Sequence, residues 1–240
     1  MSDHTTIVAD RLTKRVWGRT LVKDVSFCVA SGQVMGFLGP NGAGKTTTIR
    51  MLLGLSRPSG GLAILSGQRV PGPALTRTGS LVDRPGLHTW ASASGNLRSL
   101  APQFARSEHP ALLDRVGLRD VGTKSVRAYS QGMKQRLALA IAIANGPDAL
   151  VLDEPANGLD PAGVRDFREL VRGLAAEGRA ILVSSHQLAE VERLCDVVVV
   201  LDRGRVVDEF TLSPDEARGA GASSVLEERY LTLTDHSRSG

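Results

Sequence analysis

The sequence predicts an α/β protein built on a mostly parallel sheet with helices on both faces, and two observations predict it. Four short unbroken apolar runs, Val34 to Leu38, Ala149 to Leu152, Ile181 to Ser184 and Val197 to Leu201, alternate with stretches of helical periodicity. Strands buried on both faces read this way. The first run also leads straight into a glycine-rich turn and then a helix, the order in which open α/β sheets present phosphate sites.

Each element follows from the local pattern. Before residue 35 the residues alternate, with Val25, Phe27 and Val29 on one side and Ser26 and Cys28 on the other, as in half-buried strands. Ser31-Gly32-Gln33 makes a turn. From Ala43 the period becomes helical, with Ile49, Leu52 and Leu53 at spacings of three and four. Residues 84–130 are rich in Ser, Ala, Pro and Gly, with helical islands such as Ala111 to Val116. Gln131 to Asn145 reads as a strong helix with Leu137, Ile141 and Ala144 on one face, and further helices are expected at about 162–177 and 187–194. Asp202-Arg203-Gly204-Arg205 reads as a hairpin turn, and the polar stretch after residue 211 as a short helix with a loose end.

Composition narrows the class. The chain has 240 residues, 42% apolar and 22% charged, as expected of one large globular domain. No segment approaches the run of about 20 apolar residues that a membrane helix needs. Met1-Ser2-Asp3-His4 does not begin a basic stretch followed by an apolar one, so no signal peptide is expected. The two cysteines, Cys28 and Cys195, have no metal-ligand spacing and are expected to be buried thiols in a reducing cytosol. The net charge of +4 is spread along the chain and gives no concentrated nucleic-acid patch.

The chemistry is concentrated in three places. Gly39-Pro40-Asn41-Gly42-Ala43-Gly44-Lys45-Thr46 fits G-x-x-x-x-G-K-[ST] in full, between a buried strand and a helix. Its glycines let successive N–H groups face phosphates, the helix dipole adds to the pull, Lys45 reaches the outer phosphates and Thr46 can ligate Mg²⁺. Thr47, the next residue, belongs to the same nucleotide-binding segment. Second, the run Ala149 to Leu152 ends in Asp153-Glu154, which puts two carboxylates at the carboxyl end of a core strand. Asp153 is the expected Mg²⁺ ligand and Glu154 the group that polarises the attacking water. Third, His186 follows the next strand, where the pattern allows either a cap or a γ-phosphate contact.

These residues resemble the ATP-binding cassette family over about residues 5–210. Tyr129-Ser130-Gln131-Gly132-Met133 is similar to that family's signature, Asn157-Gly158-Leu159-Asp160 to its D-loop, and Ser185-His186 to its switch region. The wording GPNGAGKTTT and YSQGMKQRLALA is most similar to exporters of the bacitracin and daunorubicin resistance type. The resemblance implies a P-loop NTPase (RecA-like) core, an N-terminal antiparallel β part, a helical subdomain inserted at about 84–145 and a polar tail at 211–240. It also implies two cassettes that bury ATP between them, with Ser130, Gln131 and Gly132 of one facing the γ-phosphate held by the other.

Three positions depart from the family pattern. Asp83 stands where a Mg²⁺-touching glutamine is usual and reaches less far. Gln131 replaces the first signature glycine and crowds the γ-phosphate. Trp17 is one position late for the adenine-stacking aromatic, so it either stacks on the base or belongs to the core. The resulting expectation is a Mg²⁺-dependent ATPase at the cytoplasmic face of the membrane. It pairs with a second ATPase subunit, identical or not, and drives a separate transmembrane permease that docks near residues 84–100. The alternatives are a soluble cassette acting on nucleic acid or ribosomes, which is not expected to apply, and a cassette that binds ATP but hardly hydrolyses it.

Overall fold

The computed structural model describes residues 5–82, 86–212 and Tyr230. Asp83 and the expected tail helix therefore lie outside the described residues. Two long strands open the chain, β1 (Thr5–Val16) and β2 (Arg19–Ala30), joined by Trp17 and Gly18, both at positive φ (52° and 77°). That backbone matches the twist a two-residue hairpin requires. Val25, Phe27 and Val29 point inward while Ser26 and Cys28 face out. Cys28 is thus exposed, which corrects the expectation of a buried thiol: strand register outweighs the apolar character of the side chain. Cys195 is fully buried, and burial pushes its thiol well above the usual range.

Next come β3 (Val34–Leu38) and α1 (Lys45–Leu52), followed by three strands that sequence reading left unassigned: β4 (Gly60–Leu65), β5 (Gln68–Arg69) and β6 (Thr78–Leu81). Helices α2 (Ala93–Leu100), α3 (His109–Arg115) and α4 (Gln131–Ile143) follow. The chain then alternates through β7 (Ala149–Asp153), α5 (Pro161–Ala176), β8 (Ala180–Ser185), α6 (Leu188–Leu194) and β9 (Val197–Asp202) to β10 (Arg205–Thr211). Polar caps start three of the helices: Ser92, Ser130 and Asp160 each accept an N–H from the first turn of α2, α4 and α5. Such caps are each worth about 1 kcal/mol.

Two sheets result. The antiparallel one has the order β2-β1-β4-β5, and the other β10-β9-β3-β8-β7-β6, parallel except for β10 on β9. Alternate residues of β3, β7, β8 and β9 feed two separate cores. Met35, Phe37, Val151 and Leu182 join α1 and the antiparallel sheet, while Val34, Leu38, Leu152 and Val183 join the cluster of α2 to α6. A fully buried Phe or Leu contributes about 1.5–3 kcal/mol, so this two-sided burial sets the register of the central strands. Strand β6 approaches α4 so closely that a Cβ on Gly79 would stand 2.1 Å from the Ala142 carbonyl oxygen. The fold is therefore a P-loop NTPase core with an antiparallel β part and a helical subdomain. Because β3, β8 and β7 are neighbours, their carboxyl ends deliver three loops to one edge of the sheet.

Candidate active site

Strand β3 runs into the loop 39–44, which the rest of the fold holds from behind. Ala43 donates its N–H to Pro40 O at 3.1 Å, and its carbonyl accepts from Gly204 in the β9–β10 turn at 2.8 Å. Gly44 ends the loop at φ 104°, a left-handed conformation that a side chain would strain, and starts α1. No side chain caps this helix and its first turn holds no acid. Its leading N–H groups and the positive end of its dipole are left for an anion. They border a cavity of about 240 Å³ lined by residues 40–47 with Leu21 and Glu154.

Lys45 is only 6% exposed. Its Nζ donates to Gly39 O at 2.6 Å and to Pro40 O at 3.4 Å, and lies 3.3 Å from Glu154 Oε1. Thr46 and Asp153, both expected at Mg²⁺, meet: Thr46 Oγ1 donates to Asp153 Oδ2 at 2.7 Å. The other carboxylate oxygen of Asp153 accepts from Ser184 Oγ at 2.5 Å, and the same hydroxyl accepts the Glu154 N–H at 2.9 Å. Glu154 occupies φ 48°, a conformation costly for a non-glycine residue and often found where a side chain must be aimed. Its second oxygen, Oε2, lies 2.9 Å from His186 Nδ1. Asn157 Nδ2 donates to that oxygen at 3.5 Å.

Lys45, Thr46, Asp153, Glu154 and His186, separated by up to 141 positions, thus form one connected cluster at the phosphate-loop cavity. Ser130, Gln131 and Gly132 do not line that cavity. Ser130 is exposed and caps α4 through Met133 N–H at 3.2 Å. Gln131 is exposed beside Gly158, where its Cγ would stand 2.9 Å from a Cβ. Trp17 is 99% exposed at the hairpin tip, which excludes the core reading, and the same hairpin sends Leu21 into the cavity wall. A larger cavity of about 430 Å³ lies between α3, α4 and α5, with Leu139, Phe167 and Leu170 in its walls and no phosphate-loop residue.

Sequence reading missed Ser184 and Leu21. A signal for Ser184 was present: it is the polar residue that ends an apolar run, and register sets it beside Asp153. Leu21 gives no such signal, because only the fold of the hairpin brings it to the loop.

A glycine-rich anion cradle with a buried lysine, facing a strand-end carboxylate pair and a histidine, defines a nucleotide-hydrolysing P-loop enzyme. The chain belongs to the ABC transporter family, whose model matches residues 22–157. It is 41% identical over 211 residues to an ABC transporter ATP-binding protein, YhcH, of Bacillus subtilis, covering 85% of this chain and 69% of the relative. Bacitracin transport ATP-binding protein BcrA of Bacillus licheniformis is 41% identical over 213 residues, covering 86% of this chain and 70% of that one. A solved ATP-binding subunit of an ABC transporter superposes with a TM-score of 0.83 at 31% identity, covering 96% of this chain and all of the other. The protein is the ATP-binding, ATP-hydrolysing cassette of an ABC transporter.

Proposed function

We propose that two such cassettes close on ATP and power export of a drug-, peptide- or lipid-like molecule through a separate membrane subunit. One observation carries this reading: the phosphate cavity and the exposed, capped N-terminus of α4 lie apart in one chain. A second cassette is needed to bring Ser130 and Gly132 against a γ-phosphate. ATP then stabilises the closed pair by binding both halves, and hydrolysis removes that stabilisation. Whether the partner is an identical chain or a related one leaves the argument unchanged.

In the assembled site the loop from Gly39 to Thr47 wraps the phosphates and Lys45 offsets their charge. Glu154 orients and polarises the water, and His186 holds the γ-phosphate side of the site. The oxygen donors of Thr46 and Asp153 fit Mg²⁺, a hard cation that takes few protein ligands and completes its shell with phosphate and water. Asp83 is the further donor proposed for it. When bound, the ion would neutralise charge on the phosphate oxygens. Trp17, exposed at the hairpin tip, is free to stack on adenine. Trp17→Ala is expected to raise the KM for ATP about tenfold, within the range for base stacking, with an unchanged melting temperature. An unchanged KM would remove Trp17 from the site.

Export is favoured because a relative 42% identical over 205 residues is Nod factor export ATP-binding protein I of Ralstonia nicotianae. Kinship with BcrA, a bacitracin transport protein, favours transport over action on nucleic acid. Among the described residues no helix is long and apolar enough to cross a membrane. In the proposed assembly a separate membrane subunit forms the pathway. A groove of about 230 Å³ suits a short docking helix of that subunit. It lies between Leu55, Leu87, Leu100 and Ile141, and Leu55 is 67% exposed. The cassette would then work at the cytoplasmic face of the membrane. Purification from detergent-solubilised membranes is expected to bring along a polytopic membrane protein in stoichiometric amount. Leu55→Glu should abolish that association and leave the ATPase rate of the isolated chain unchanged. A variant that still associates would place the docking surface elsewhere.

A further inference from the structure

We infer that Glu190 is a positioning residue for His186, acting through Ser185, an inference that rests on the site reading above. Strand β8 ends at Ser185, whose side chain is buried. The Ser185 hydroxyl accepts the N–H of Gln187 at 3.0 Å, closing a three-residue turn around His186. The same hydroxyl donates to Glu190 Oε2 at 3.2 Å. A hydroxyl has one proton and rotates to suit its partners. With that proton committed to Glu190, a lone pair faces Gln187 and the turn is held shut. His186 projects from this turn to within 2.9 Å of Glu154. The chain of contacts therefore runs from α6 through Ser185 to the turn, the imidazole and the Glu154 carboxylate that lines the phosphate-loop cavity.

Glu190 also lies in the first turn of α6, where an acid complements the helix dipole, so a purely structural role has to be separated from positioning. Its surroundings point to the site. The carboxylate is half-buried, and burial together with the nearby Glu154 charge raises its pKa while Ser185, His186 and Arg168 pull the other way. Nothing in the dipole argument requires the carboxylate to reach back to Ser185. Glutamine at 190 keeps an acceptor oxygen for the hydroxyl and loses the charge. Alanine loses both.

The test compares Glu190→Ala, Glu190→Gln, Ser185→Ala and His186→Ala in the full chain. ATP turnover, ATP affinity and melting temperature would be measured, with NMR of ¹⁵N-labelled histidine. The chain has five histidines, and the His186 signal is the one lost in His186→Ala. Glu190→Ala and Ser185→Ala are expected to lower kcat about tenfold with KM and ATP affinity within twofold, because small misplacements of reacting groups have large rate effects. Both should shift the His186 imidazole signal, while Glu190→Gln recovers at least half of the rate and the native signal. An unmoved His186 signal in Glu190→Ala, or a Glu190→Gln variant as slow as Glu190→Ala, would make Glu190 structural only and overturn the inference. If His186→Ala itself keeps wild-type turnover, the reading of the site fails, and the inference fails with it.

Discussion

Replacing Lys45 with alanine is expected to lower ATP turnover at least about a thousandfold, to the background of a phosphate-release assay. Removing one preorganised group that stabilises transition-state charge commonly costs 10²–10³ in rate, and Lys45 carries a full charge into an enclosed cavity. Its aliphatic stem is buried, and its ammonium rests on the carbonyls of Gly39 and Pro40 beside Glu154. The charge is therefore fixed before nucleotide arrives, and little reorganisation is needed when phosphate enters. Alanine leaves the first-turn N–H groups of α1 in place, so weak nucleotide binding should survive while turnover does not. The loop is also held by Ala43 and Gly204 without the lysine, which predicts a melting temperature within a few degrees of wild type. Turnover at the wild-type rate would refute the assignment of the loop.

The sequence made the catalytic core legible because its signals are local. The phosphate loop, the strand ending in Asp153-Glu154 and the helix after Ser130 each occupy fewer than 20 consecutive residues, and the structure forms all three. Strands β4 to β6 were illegible for the opposite reason. Gly60–Leu65 begins with two glycines and becomes a strand by pairing with β1, some 50 residues earlier. Thr78–Leu81 is four residues long and joins the parallel sheet only at its edge, beside β7. Cys28 shows two local signals in conflict. Its alternation with Val25, Phe27 and Val29 placed it outward and its residue type suggested burial; register decided. Trp17 lacked a local signal for exposure, since the positive φ at Trp17 and Gly18 that puts it at the hairpin tip follows from the pairing of β1 with β2. The contact of Ser185 with Glu190 was invisible in sequence, because that hydroxyl meets the carboxylate only when the end of β8 and the first turn of α6 are brought together.

Glu154→Gln is expected to leave ATP binding intact and to hold two chains together. The amide keeps the shape of the side chain and can still meet His186, but it no longer polarises water as a carboxylate does. Loss of a general base of this kind costs about 10²–10⁴ in rate, so bound ATP outlives the measurement. The substitution also removes the anion 3.3 Å from Lys45, which leaves the ammonium more available to phosphate. Binding should therefore be as tight as in the wild type or tighter. A ligand held at 100 times its Kd stabilises the form that binds it by about 2.7 kcal/mol, and the closed pair holds two. With hydrolysis blocked, that stabilisation is not discharged, and light scattering with ATP and Mg²⁺ should report twice the 25.5 kDa chain mass. Wild-type chains under the same conditions should return to the monomer as ATP is consumed. A Glu154→Gln chain that binds ATP and stays monomeric would separate nucleotide binding from pairing. The N-terminus of α4 would then have to meet something other than a second cassette.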